Sequence, residues 1–73
     1  MNKKEAIINI ISKITKIDPK LINEKSTMSD FSKWDSLCHL NIILELQKKF
    51  NKNVNTSKMN DLNSVKKILQ FFK

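Results

Sequence analysis

The run Trp34-Asp35-Ser36-Leu37-Cys38-His39 gathers a carboxylate, a hydroxyl, a thiol and an imidazole into six consecutive positions. Three chemistries are open to such a set: nucleophilic hydrolysis, metal binding, and covalent modification of a side chain. Hydrolysis fits poorly. Ser36 and His39 are three residues apart and would meet on one helix face. Asp35, however, adjoins the serine instead of orienting the imidazole, and a chain without glycine offers no glycine-rich oxyanion hole. A metal site has no support either, because one Cys and one His without spaced partners cannot supply a ligand set. Covalent modification of a side chain stays open, beside the plain alternative that Ser36 is an ordinary helix cap.

The elements that hold this run follow from hydrophobic spacing. Ile7, Ile10, Ile11, Ile14 and Ile17 recur at the helical period with polar residues between them, which predicts a first amphipathic helix over about residues 3–16. Asp18-Pro19 stops it, since the residue before proline avoids the helical region, and the same pair can open a short turn. Leu21 and Ile22 are expected to plug the core from there. Residues 23–33 are polar, with Met28 and Phe31 as anchors, and form the long loop of the fold. Asp35 or Ser36 caps the strongest helix of the chain, which runs from Leu37 to Phe50. Asn51 to Asn55 ends that helix, with Asn in place of a C-cap glycine. Ser57 to Asp61 makes a short third helix. Asn63 or Ser64 caps a fourth, with Val65, Ile68, Leu69 and Phe72 on one side. The expectation is a single all-α domain over residues 1–73 with four helices.

At about 100° per residue the second helix carries two apolar arcs. Ile42, Ile43, Leu46 and Phe50 lie together and form the core face, with His39 on the same arc as a partly buried neutral imidazole. Leu37, Leu40 and Leu44 make a separate stripe, divided from the core arc by Gln47 on one side and by Asn41, Glu45, Lys48 and Lys49 on the other. A small protein cannot easily bury both arcs. The leucine stripe either packs under the long loop or stays exposed to dock partners. Trp34 is expected to anchor the loop, and Cys38 to be structural.

Asp-Ser-Leu at the opening of the second of four helices, after a long loop, resembles the attachment site of acyl and peptidyl carrier proteins. The Phe31-x-x-Trp34-Asp35-Ser36-Leu37 run is most similar to carriers outside primary fatty acid synthesis. Lipases with a Gly-Asp-Ser-Leu motif share three of these residues, but their first position is glycine and their fold is a much larger α/β domain. The carrier resemblance covers the whole chain and includes Leu46 and Phe50 as anchors. It implies that a phosphopantetheinyl transferase moves 4′-phosphopantetheine from coenzyme A onto the Ser36 hydroxyl, with Asp35 as a transferase contact. The terminal thiol of the arm would then carry an acyl or aminoacyl cargo. Further partners would be the enzymes that load and use that cargo, an acyl or aminoacyl ligase or transferase. The chain itself would be a non-catalytic, free-standing monomer serving a specialised biosynthetic pathway. The position suits a phosphodiester, since the first turn of a helix presents backbone N–H groups and the positive end of the macrodipole.

Two departures from the carrier pattern stand out. Lys33 occupies the place of a usual glycine two positions before the aspartate, so the turn into the helix must be made differently. The second helix also lacks the acids of fatty acid synthesis carriers: Glu45 is its only acid, with Asp35 at its head. Its recognition should lean on Leu37, Leu40 and Leu44 more than on charge.

Composition limits the rivals. A domain of 73 residues buries only about 60% of the surface its unfolded chain exposes, which leaves little interior for a reactive pocket. The net charge of +7 invites a nucleic-acid partner, yet all fourteen basic residues are lysine, and arginine, the usual reader of guanine edges, is absent. The excess is terminal: residues 1–28 carry +3, residues 29–47 carry −2 and residues 48–73 carry +6. A basic nucleic-acid-binding protein would need a polar recognition helix, and the best helix here is apolar. An unmodified helical adaptor using the leucine stripe is the other alternative. A lone Cys38 excludes a disulfide framework and makes the cytoplasm the expected compartment. The basic and then apolar start is interrupted by Glu5, Asn9, Ser12 and Lys13, unlike a signal peptide. No segment approaches the roughly 20 apolar residues of a membrane span.

Overall fold

The computed structural model describes residues 2–72, so the first and last positions of the expected domain lie outside the described part. Four helices, α1 (Lys3–Thr15), α2 (Ser36–Phe50), α3 (Thr56–Asp61) and α4 (Val65–Phe71), are joined by two single 3-10 turns at Pro19–Leu21 and Met28–Asp30. Among the described residues there is no strand, only an isolated antiparallel bridge between Thr27 and Ser64. The all-α, four-helix expectation holds, with a long segment between the first two helices and a short third helix.

Each helix end has a local cause. Asn2 caps α1 by accepting from the Glu5 N–H at 2.8 Å, and Lys16 ends it in the left-handed region at φ 67°. Pro19 opens the next turn, with Asp18 Oδ1 accepting from the Lys20 N–H at 2.9 Å. Asn51 closes α2 at φ 52° and ψ 48°, a conformation that asparagine tolerates better than most residues. Lys16 and Asn51 are the only described residues with positive φ, so the turn through Lys33 needs none. Ser64, not Asn63, caps α4, its Oγ accepting from the Lys67 N–H.

The core is apolar and closed. Ile7 and Ile11 of α1, Ile42, Ile43 and Leu46 of α2, and Val65, Ile68 and Phe72 from the α4 segment are all buried, together with Ile22, Trp34 and Leu62. Phe50, assigned to the core arc, sits at its rim: half-buried, 5.6 Å from the Phe72 ring, with the Lys3 ammonium 5.6 Å above it. Leu21 departs from expectation. Ile22 is buried, whereas Leu21 is 62% exposed. The cause is geometric: Ile22 leaves the 3-10 turn with extended backbone, and neighbouring residues at such a step project in different directions. The long loop is also more ordered than its polarity suggested. Met28 N–H donates to the Asn63 carbonyl at 2.8 Å, and Val65 N–H donates to the buried Ser26 at its carbonyl, 3.0 Å away. Those two bonds tie the loop to the joint between α3 and α4.

Candidate attachment site at the head of helix α2

The site is built from the loop inward. Trp34 N–H donates to the Phe31 carbonyl at 3.2 Å, which turns the chain so that the indole enters the core, where it is 1% exposed. Asp35 then takes an extended backbone conformation and caps α2, its Oδ1 accepting from the Cys38 N–H at 2.9 Å. The Asp35 carbonyl accepts from the His39 N–H at 2.8 Å and starts the helical ladder. Of the two capping candidates, Asp35 takes the role. Ser36 is therefore the first residue of the helix proper, exposed, with a hydroxyl not used as the cap.

This arrangement has an electrostatic consequence. The Cys38 backbone N–H holds the Asp35 carboxyl below its ordinary pKa. Cys38 itself is half-buried, its Sγ directed at the Ile14 carbonyl 3.9 Å away. Burial, reinforced by the nearby Asp35, pushes the thiol pKa up and away from nucleophilic character. The Cys38 amide is satisfied by Asp35, and the His39 amide by the Asp35 carbonyl. Ser36 thus stands in the first turn of α2, where the positive end of the helix dipole favours a negative group.

His39 is 5% exposed and bonded on both ring nitrogens. The Trp34 Nε1–H donates to Nδ1 at 3.1 Å, and Nε2 lies 3.0 Å from the Met59 carbonyl. An indole N–H can only donate and a carbonyl can only accept, so the imidazole is the neutral tautomer with its proton on Nε2. His39 is thus a bridge from Trp34 to α3, with neither nitrogen free to act on Ser36. The same two bonds leave no Ser36–His39 hydrogen bond of the kind a hydrolytic pair needs. Among the described residues no group of three or more potential ligands could hold a metal ion.

The chain matches the phosphopantetheine attachment site family over residues 5–72. It belongs to that family. No individual curated protein matches it. The chain is accordingly a carrier domain for covalently attached 4′-phosphopantetheine, and the head of α2 suits that group with an exposed hydroxyl and a cap supplied by its neighbour. When bound, the arm supplies a terminal thiol.

The rest of α2 arranges the carrier's surface. Leu37, Leu40 and Leu44 are 68%, 40% and 43% exposed, while Ile42, Ile43 and Leu46 on the other arc are fully buried. The two-arc division read from the sequence is present, and the loop does not cover the leucines. Two contacts had no sequence signal strong enough to find them. Gln47, which separates the arcs, accepts the Val54 N–H on Oε1 at 2.6 Å and so folds the chain after α2. Met59 contributes through its carbonyl, a group that every residue carries. Among the described residues no helix is long and apolar enough to cross a membrane.

Proposed function

We propose that the chain is a free-standing carrier that bears its 4′-phosphopantetheine arm on Ser36 and hands acyl or aminoacyl cargo between the enzymes of a specialised biosynthetic pathway in the cytoplasm. Asp35 offers the phosphopantetheinyl transferase a charged contact beside the modified hydroxyl. Leu37, Leu40 and Leu44 dock the transferase and the ligase or transferase enzymes that load and use the cargo. The carrier works as a monomer and leaves catalysis to those partners.

The observation that carries this reading is the division of labour at the α2 head. Asp35 caps the helix, and the adjacent Ser36 is exposed with its hydroxyl outside the cap. Incubation with coenzyme A and a phosphopantetheinyl transferase should raise the intact mass by about 340 Da. Ser36→Ala should fold and stay unmodified. Modification that persists in that variant, on exposed Ser32 or on Ser64, would overturn the assignment.

A further inference from the structure

We propose that the α3–α4 side of the carrier holds a second docking surface, a lysine-ringed depression that takes an acidic protein segment. The depression is open, about 530 Å³, and Lys52, Lys58, Lys67, Asp61, Leu62 and Phe71 are among its lining residues. Its cations arrive from three separate segments: the link after α2, α3 and α4. Lys52 Nζ lies 4.4 Å and Lys58 Nζ 5.6 Å from the Phe71 ring centroid, and Lys52 also donates to the Phe71 carbonyl at 2.6 Å. Asp61 is the only carboxylate on the wall. Three exposed ammonium groups held together against one acid repel one another, and an incoming anion relieves that repulsion.

The surroundings favour a protein segment as the occupant. A single-stranded nucleic acid would seek an open aromatic face for stacking. Phe71 is already covered by two ammonium groups and packed edge-on against Phe72, with centroids 5.1 Å apart at 83°. A lipid surface would need apolar side chains that protrude. Phe71 is half-buried in the depression, and the exposed leucines of α2 are not on its wall. A second copy of a chain with net charge +7 is repelled. The carboxylates of an acidic segment can meet the lysine point charges one by one without needing an open ring face.

The test is a titration of the 15N-labelled full chain with an end-capped glutamate-rich peptide, followed by amide shifts. Shifts should centre on Lys52, Lys58, Lys67 and Phe71, and the matching glutamine peptide should leave them unmoved. The Lys58→Gln/Lys67→Gln pair should weaken binding about tenfold, while Lys20→Gln/Lys25→Gln should change it less than about twofold. Ser36→Ala should bind like the parent, so the outcome is independent of the arm. Equal losses from both lysine pairs, shifts spread over every lysine, or no shifts at all would overturn the proposal. Tighter capture of an oligonucleotide or an anionic vesicle at the same residues would do so too.

Discussion

Helix α2 meets the rest of the molecule in two ways. Along its middle, Ile42, Ile43 and Leu46 share one buried cluster with Ile7 and Ile11 of α1 and Val65 and Ile68 of α4, all apolar. At its head it reaches α3 through a polar relay, from Trp34 Nε1–H to His39 Nδ1 and from His39 Nε2–H to the Met59 carbonyl. The first contact is non-directional and scales with buried area. The second depends on three polar groups being correctly paired, and α3 contributes no fully buried residue of its own to reinforce it. The difference predicts that α3, anchored by the relay and by half-buried Met59, is held less firmly than the helices that meet in the core. The residues that hold α3 flank Ser36, so the proposed attachment site and α3 share one anchor.

Truncation on the apolar side should have the largest effect. Ile42→Ala or Leu46→Ala removes a fully buried side chain and should cost about 2–5 kcal/mol, a large part of a small domain's stability. The denaturation midpoint in urea measures it. An unchanged midpoint in both variants would mean that the core face lies elsewhere.

The polar relay should yield a smaller and more local effect. His39→Leu leaves the Trp34 N–H buried without an acceptor, a cost of about 1–3 kcal/mol. Trp34→Phe alone forfeits the same bond from the donor side. If the relay is the coupling, the double variant should lose less than the sum of the two single changes. Hydrogen exchange should quicken at the amides of α3 in His39→Leu while those in the middle of α1 keep their protection. Equal acceleration in both helices would erase the distinction between the two sides.

Acid should touch the α2 head before the core. The Asp35 carboxyl is held below its ordinary pKa by the Cys38 N–H. Its contribution is thus fully present above the unfolded carboxylate pKa of about 3.9 and is lost as pH falls through the lowered folded value. Asp35→Asn keeps a capping oxygen without the titration. The stability gap between parent and variant should therefore shrink only in that acid window. A gap that persists at the acid end would place the pH sensitivity elsewhere.

The apolar side was legible in the sequence because burial leaves a period. The isoleucines of α1, the two arcs of α2 and the stripe of α4 can be read from spacing alone, and so can the start of α2 after Trp34. Contacts made by backbone groups left no such trace. Nothing in residue type distinguishes the Met59 carbonyl that His39 finds, or the Ser26 carbonyl that Val65 finds. Leu21 and Ile22 show the same limit: adjacent residues of equal hydrophobicity take opposite fates because a 3-10 turn ends between them. Ser36 was legible as a candidate. Asp35 as the cap needed backbone geometry.

The leucine stripe gives the smallest stability effect and the sharpest functional one. Leu44 is 43% exposed, so Leu44→Ala opens no cavity and should change stability by less than about 0.5 kcal/mol. If the stripe docks partners, the same change should raise the KM for the phosphopantetheinyl transferase several-fold, with kcat little altered, because it removes binding area away from the reacting hydroxyl. Salt separates this contribution from any made by lysines. Exposed charges are screened over about 8 Å at physiological ionic strength, so the parent's affinity can fall with salt while the ratio between parent and Leu44→Ala stays constant. A ratio that collapses as salt rises would tie Leu44 to the charged surface instead of to apolar docking. A variant with unchanged KM at every ionic strength would remove the stripe from partner recognition.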